Sequence, residues 1–188
     1  SAMPVGARVH LAHALVQWLA DSAAVDVLHL KGPAVLPGLR DPARTSTDVD
    51  ILVRPSHLTR LIDVLEANGW TPRTDFATGS PFTHAANWWH EDWGWLDLHV
   101  SWPGVRLPDE DAYDLLAQDA VAHPIAHFVC PVPNLLTQRL ILLLHAARTP
   151  YGVGRTRAWD EADDAERAAR AAQADLGAEG SDLLRGIA

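Results

Sequence analysis

Apolar and polar positions follow two different periods along this chain, and each period predicts a different kind of element. Over residues 5–21 apolar side chains recur every three or four positions, which predicts an amphipathic α-helix. A second stripe of this kind starts after Pro55, with Ser56 as the expected N-cap, and ends at Asn68-Gly69. The first helix is expected to bury one face made of Leu11, Leu15, Trp18 and Leu19.

Short runs of branched or alternating residues predict strands between and after these helices. The runs Val25 to Leu30 and Asp48 to Val53 indicate two strands joined by an irregular segment. Residues 70–81 indicate a short strand and a loop. The aromatic segment 84–102 predicts a β-hairpin that turns near Glu91-Asp92.

Helical patterns replace strand patterns in the second half of the chain. Residues 111–119 predict a short helix, and residues 134–148 predict a strongly apolar helix. Residues 158–176 form an Ala-rich, acidic stretch that predicts a third helix, closed by Gly177 and anchored by Trp159. This half is therefore expected to be mainly helical.

The change of pattern divides the chain into two predicted units. An α/β core is expected over residues 4–104, and a helical C-terminal subdomain over residues 105–188. The total of 188 residues suits one ordinary domain with a small helical annex.

The charge and the cysteine content of the chain indicate which partners it can bind and in which cellular compartment it is expected. The net charge of −9 and the absence of a basic cluster disfavour a long polyanionic partner such as RNA. No apolar run reaches about 18 residues, so no membrane span is expected. Cys130 is the single cysteine, so an internal disulfide is impossible, and a reducing, cytoplasmic compartment is expected.

The segment Asp48-Val49-Asp50-Ile51 carries the main chemical signal. Alternate side chains of a strand share a face, so Asp48 and Asp50 lie together, about 6.6 Å apart along the strand. Two carboxylates on a half-buried face repel each other, and a divalent cation such as Mg²⁺ would remove that repulsion. A solvated pair on a strand edge is the alternative.

A third carboxylate stands on the second arm of the predicted hairpin. Asp97 and His99 share the face opposite to Leu96 and Leu98. If this strand pairs beside the first, Asp97 completes a cage of three carboxylates that can hold two Mg²⁺ ions about 3.5–4 Å apart. His99 either orients Asp97 or is a structural, hydrogen-bonded histidine.

A candidate phosphate-binding turn precedes the two aspartates. Lys31-Gly32 follows the first strand, where Gly32 lets the backbone approach a phosphate and Lys31 supplies a point charge. Arg44 lies just before the aspartates and either binds phosphate in a bidentate manner or is a solvated loop residue. Lys31 is the only lysine of the chain, which suggests a specific role.

Other polar and aromatic residues leave two interpretations open. Ser46 and Thr47 either orient the metal carboxylates or cap a turn. His145, within the apolar helix, is either a core histidine or a ligand. The rings crowded between residues 88 and 95 either pack the hairpin or bind a base or an apolar acceptor; these are Trp88, Trp89, Trp93 and Trp95.

Four motifs together resemble those of the uncharacterised nucleotidyltransferase family within the DNA polymerase β-like superfamily. They are Leu30-Lys31-Gly32-Pro33, Arg44, the stretch from Asp48 to Pro55, and Leu96-Asp97-Leu98-His99. The resemblance covers about residues 25–102. It implies an α+β, nucleotidyltransferase-like mixed β-sheet flanked by helices.

The resemblance also implies the roles of individual residues. Asp48, Asp50 and Asp97 would bind metal and act in catalysis, while Lys31, Gly32 and Arg44 would hold the triphosphate. In the wider superfamily the phosphate turn is usually Gly-Ser or Gly-Gly. Here a serine contact is missing from the turn itself, and Lys31 is expected to substitute for it.

The expected function is Mg²⁺-dependent transfer of an NMP from an NTP to a hydroxyl group, with release of pyrophosphate. The acidic charge balance favours a small-molecule, peptide or protein acceptor over tRNA. Two alternatives stay open: a catalytically silent nucleotide- or partner-binding module of the antitoxin type, and a phosphotransferase that uses the same metal site.

Overall fold

A computed structural model describes residues 3–41, 43–78 and 84–148, the side chains of residues 146–148 excepted. The helix expected over residues 158–176 and its anchor Trp159 lie outside this part of the chain. Among the described helices, none has the length and apolar character needed to cross a membrane.

Four α-helices and seven strands follow one another along the described chain, with single 3₁₀ turns at Gly32–Ala34 and Pro55–His57. In chain order they are α1 (Val5–Ser22), β1 (Val27–His29), β2 (Asp48–Val53), α2 (Leu58–Ala67), β3 (Thr71–Pro72), β4 (Ala85–His90), β5 (Gly94–His99), α3 (Asp109–Ala117), β6 (Val121–Ile125), β7 (Phe128–Val132) and α4 (Leu135–Arg148).

The main sheet is mixed and has the strand order β1-β2-β5-β4-β3. Strand β2 pairs with β5 in parallel, whereas the other neighbouring strands pair antiparallel. The fold class predicted from the sequence, an α+β mixed sheet flanked by helices, is confirmed. The pairing of β5 beside β2, on which the three-carboxylate hypothesis depends, is also observed.

Both faces of the sheet are covered, and β2 shows how the alternating pattern divides its side chains. Val49, Ile51 and Val53 are fully buried in the core formed with α1 and α2. Leu52 points the other way, into a second cluster that includes Trp102 and Ile141. Because side chains of a strand alternate between faces, Asp48 and Asp50 share the face of Leu52.

Two details of the helices differ from the sequence expectations. Helix α1 buries Val9, Ala12, Val16 and Ala20, whereas Leu11 and Trp18 are 40% and 53% exposed. Leu19 is buried and Leu15 packs against the core as expected, so only Leu11 and Trp18 of the predicted face are turned outwards. Ser56 is not an N-cap, because a 3₁₀ turn intervenes and α2 begins after His57; the Ser56 N–H donates instead to the Glu110 carboxylate.

The hairpin formed by β6 and β7 was not predicted. Pro124 and Pro131 weaken the strand pattern, since proline lacks a backbone N–H. Ala126 and His127 form the two-residue turn, both with positive φ, and neither is the glycine or asparagine that usually marks such a turn. Cys130 is buried in this hairpin, where burial raises the thiol pKa to about 12, so it serves packing.

A buried hydrogen-bonded chain joins α1 to β1. Gln17 Nε2 donates to Asp21 Oδ1 at 2.7 Å, which leaves Gln17 Oε1 to accept from His29 Nε2 at 2.9 Å. His29 Nδ1 is then an acceptor, and His13 Nδ1 donates to it at 2.7 Å. Burial lowers the pKa of His13 to about 3 and that of His29 well below its usual value, so both rings are neutral.

We expect Gln17→Leu to lower the free energy of unfolding by about 1–3 kcal/mol, because the buried His29 N–H loses its acceptor. Equilibrium unfolding in urea measures this change. Gln118→Leu, at the exposed end of α3, is the matched control and should have little effect. Equal stability of the two variants would contradict the role given to the buried chain.

Candidate active site

The parallel pairing of β2 with β5 places two carboxylates side by side. Asp50 is the register partner of Asp97, and Asp48 is the partner of Trp95. Asp50 is 2% exposed, so its charge lies inside the protein. The sheet therefore brings together two of the three carboxylates that the sequence nominates, on the face that Leu52 shares.

His99, on β5 with Asp97, lies close to both carboxylates. Asp50, Asp97 and His99 each offer one possible ligand atom, and these atoms lie within 4.8 Å of one another. His99 Nε2 is 3.2 Å from Asp50 Oδ1, and its ring stacks on His84 with centroids 5.5 Å apart. The histidine thus contacts Asp50, on the neighbouring strand. Asp48 lies two residues before Asp50, half-buried, and stands outside this close group.

Lys31 forms an ion pair with Asp50. Its Nζ lies 2.6 Å from Asp50 Oδ1 and 5.9 Å from the centre of the Trp102 ring. Burial alone would raise the pKa of Asp50 and lower that of Lys31. The mutual attraction outweighs burial, with the result that the Asp50 pKa is lowered and the Lys31 pKa is raised.

Asp97 has a different environment, because its nearest charged neighbours are acidic. Burial raises the pKa of Asp97 to about 7, and the Asp50 carboxylate adds to the rise. Asn87, the register partner of Asp97 on β4, opposes it by donating from Nδ2 to Asp97 Oδ1 at 2.5 Å. Thr74 donates to Asn87 Oδ1 at 3.0 Å and thereby fixes the orientation of the amide.

Gly32 forms a turn that a side chain would disrupt. Its φ is +62°, and a Cβ added there would lie 2.8 Å from Ser46 Oγ and 3.1 Å from Ser46 Cβ. Ser46 Oγ also faces the Asp48 carboxylate, at 3.4 Å from Oδ1. The structure therefore supplies a serine hydroxyl to the glycine turn from the approach to β2, although the turn itself contains none.

A cleft opens at this turn and continues into a groove. The cleft has a volume of about 80 Å³ and brings Lys31, Gly32 and Arg44 together with Asp48 and Asp50. It adjoins a larger cavity of about 690 Å³, since Gly32 and Arg44 line both. His145 of α4 also lines the cleft.

Sequence reasoning missed Asn87 and Thr74, the residues that hold Asp97 in place, because their positions depend on how the strands pair. Asn87 and Thr74 are far from Asp97 in the chain, and neither belongs to a recognisable motif. A correct register for the predicted hairpin would have found Asn87, because a turn near residue 92 places residues 87 and 97 opposite each other.

The donor set fits a hard divalent cation. Carboxylate oxygens are the ligands that Mg²⁺ prefers, and two carboxylates held side by side away from bulk water are stabilised by a cation between them. Burial, and then the charge of Asp50, raise the pKa of Asp97 to about 7, so a cation at this position would favour its charged form. Asp50 and Asp97 would hold the ion, with Asp48 or His99 completing the protein ligands.

Comparison with known proteins identifies a family and several solved structures of similar fold. Residues 9–162 match the model of a family described as uncharacterised nucleotidyltransferase. No curated protein matches the sequence significantly.

Solved structures of similar fold include two of ANT(2'')-Ia, an antibiotic-resistance factor. Its solution structure has a TM-score of 0.62 at 16% identity, covering 94% of this chain and 89% of that chain. Its crystal structure with adenylyl-2''-tobramycin has a TM-score of 0.63 at 18% identity, covering 95% and 94%. The lincomycin-bound lincosamide adenylyltransferase LnuA has a TM-score of 0.52 at 16% identity, covering 82% and 92%. At these identities the likeness shows the fold alone.

We predict that Mg²⁺ binds more tightly as the pH rises towards the Asp97 pKa of about 7, by about tenfold per pH unit below it, and that the affinity then levels off. The reason is that binding must release the proton that Asp97 retains at lower pH. Calorimetric titration of Mg²⁺ from about pH 5 to about pH 9 measures this profile.

The Asn87→Ala variant should move the bend in the Mg²⁺-binding profile to higher pH, because it removes the hydrogen bond that favours the Asp97 carboxylate. A Mg²⁺ affinity that does not change with pH below 7 in the unmodified protein would contradict the assignment.

In the metal-free protein, a rise in pH should lower the stability of the fold rather than strengthen binding. The folded state retains a proton on Asp97 that the unfolded state has lost, so the Asp97 contribution to stability falls as pH rises from about 4 to about 7.

Proposed function

The chain belongs to the uncharacterised nucleotidyltransferase family, and from this premise we propose that it transfers an NMP from an NTP to a hydroxyl group, in a Mg²⁺-dependent reaction that releases pyrophosphate. The observation that carries the proposal is the side-by-side placement of Asp50 and Asp97 at the cleft that Lys31, Gly32 and Arg44 line. Basic residues for phosphate and acidic residues for a cation thus line the same cleft.

The basic end of the groove suits the triphosphate. Lys31 Nζ is already within the cleft, and Arg44 lines both the cleft and the larger cavity beside it. Gly32 allows a close approach of the backbone, and the Ser46 hydroxyl adds a donor beside it. The adjoining cavity of about 690 Å³ has room for the remainder of a nucleotide.

The acidic end suits the reacting hydroxyl. The acceptor oxygen attacks the α-phosphorus, the bond from that phosphorus to the bridging oxygen breaks, and pyrophosphate leaves. Asp48, Asp50 and Asp97 would hold two magnesium ions, whose positive charge would neutralise the phosphates and favour deprotonation of the acceptor. Asp97, which loses its own proton before it can bind metal, would help to take the proton of the acceptor hydroxyl as a general base.

A small molecule is the acceptor class that the comparisons favour. ANT(2'')-Ia was crystallised with adenylyl-2''-tobramycin and LnuA with lincomycin, and both share this fold. A peptide or protein hydroxyl fits the same chemistry. RNA fits less well, because the chain carries a net charge of −9.

We expect Asp50→Asn and Asp97→Asn to abolish transfer while the fold is retained, because each removes one carboxylate of the pair. The assay uses ATP labelled in its α-phosphate with Mg²⁺, follows the label into tobramycin, lincomycin or the protein itself, and measures pyrophosphate. Asp63→Asn on the exposed face of α2 is the matched control and should keep full activity.

The same assay separates the alternatives. Formation of ADP with label transferred only from the γ-phosphate would indicate a phosphotransferase. Mg²⁺-dependent binding of ATP without any pyrophosphate, for every acceptor offered, would indicate a silent binding module. Transfer that survives both Asp50→Asn and Asp97→Asn would reject the site.

Lys31→Met should weaken the binding of ATP more than that of AMP, because the ammonium group is proposed to contact the outer phosphates. Methionine keeps much of the chain length without the charge. Calorimetry with Mg²⁺ present measures both dissociation constants, and Lys31→Arg tests whether any positive charge suffices. Equal weakening of ATP and AMP would show that Lys31 acts only through Asp50.

A further inference from the structure

Two tryptophans lie on the sheet face that carries the carboxylates, one row further along the strands. Trp89 and Trp95 are register partners across β4 and β5, and Asp48 is the partner of Trp95 on its other side. Residues two apart on a strand share a face and stand about 7 Å apart, so Trp95 is the same-face neighbour of Asp97. An edge-to-face contact joins the two rings, with centroids 4.9 Å apart at 62°.

Trp95 is exposed, whereas the tryptophans of the two cores are not. It is 42% exposed, whereas Trp70, Trp88 and Trp102 are at most 3% exposed and belong to the cores. Core packing therefore accounts for those rings and leaves the Trp95 indole unexplained. An edge-to-face pair holds its rings at a fixed angle and leaves a ring face open to a ligand.

We propose that Trp95, supported by Trp89, is the platform on which the acceptor lies, and that the acceptor is a small cyclic compound bearing ammonium groups beside its hydroxyls. This inference deepens the proposed function and rests on it. A ring that lies on Trp95 has its edge within reach of Asp97, where the reacting hydroxyl must be.

Charge on this side of the site favours a cation. Asp48 and Asp97 border Trp95, and Glu91 and Asp92 occupy the exposed turn one step beyond the tryptophan pair. The Arg8 guanidinium lies against Gly94, which faces the opposite side of the sheet from Trp95. A tryptophan face bordered by carboxylates attracts an ammonium group through both the ring and the acidic charges.

The position of the platform also separates the acceptor from the nucleotide. Lys31, Gly32 and Arg44 line the cleft at the β1 and β2 end of the site, whereas Trp95 and Trp89 lie on β5 and β4, beside Asp97. The proposal therefore places the triphosphate beside β2 and the acceptor beside β5, an arrangement that would allow the hydroxyl to attack the α-phosphorus opposite its leaving group.

The experiment follows the indole N–H signal of Trp95 by NMR in the nitrogen-labelled full chain, with Mg²⁺ and a non-hydrolysable ATP analogue present. Three probes separate ring from charge: tobramycin has rings and ammonium groups, trehalose has rings only, and spermidine has ammonium groups only. The Trp95 signal is identified by its loss in Trp95→Leu.

We expect tobramycin to shift the Trp95 signal saturably, and trehalose and spermidine to bind about tenfold more weakly or less. Trp95→Leu should weaken tobramycin binding about tenfold, the size of effect typical of one lost stacking contact, and Trp95→Phe should restore most of it. Neither variant should change the affinity for the ATP analogue. Trp18→Leu, an exposed tryptophan of α1 on the other side of the sheet, is the matched control and should change nothing.

Three outcomes would overturn the platform. A Trp95 signal that moves fully with the ATP analogue alone would make it a base-stacking residue. Equal binding of tobramycin by the Leu variant and the unmodified chain would make it a hairpin-packing residue. Binding of trehalose as tight as that of tobramycin would show that the acceptor does not need ammonium groups. None of these outcomes affects label transfer or its loss in Asp97→Asn, so the proposed function is tested separately.

Discussion

The repulsion between Asp50 and Asp97 is the constraint around which the rest of this site is arranged. Parallel pairing of β2 with β5 holds the two carboxylates as direct neighbours, and Asp50 is almost completely buried. In the absence of metal, the negative charge of each carboxylate is reduced in a different way. Lys31 neutralises Asp50 through a contact of 2.6 Å, whereas Asp97 receives a neutral amide and retains a proton up to about pH 7. The site is therefore charged unevenly before any ligand binds.

Apolar packing on the opposite face is what maintains this unfavourable arrangement. Val49 and Ile51 of β2 alternate with the aspartates, as do Leu96 and Leu98 of β5, and all four are fully buried. A shift of one residue in either strand would expose these side chains and bury the carboxylates in the core beneath α1 and α2. The hydrophobic effect on one face thus fixes the distance between charges on the other. Burial of each such side chain contributes about 1.5–3 kcal/mol, which favours this register over one shifted by a residue.

This coupling explains which parts of the molecule the sequence could predict. Alternation around Asp48 and Asp97 is a local pattern, so both strands, their polar faces and the candidate metal ligands could be predicted from it. Asn87 could not, because its role depends on which residue of β4 pairs with Asp97. The helix α1 was predicted correctly, and two of the four residues of its apolar stripe, Leu15 and Leu19, do pack against the core. Leu11 and Trp18 fit the same helical spacing but are exposed, because the buried face passes through Ala12, Val16 and Ala20 instead.

The single lysine among fourteen arginines acquires a physical meaning in this setting. The space beside Asp50 is bounded by the Trp102 ring and by His99, which itself contacts the same carboxylate oxygen. A compact ammonium group can make one short contact there, whereas a planar guanidinium needs room for its fork and a second acceptor. Under the proposed function, the flexible four-carbon side chain would let the ammonium group move from Asp50 to a phosphate without a backbone movement. The same cation would then compensate the Asp50 carboxylate before ligands bind and would contact the triphosphate once a divalent ion is held at Asp50.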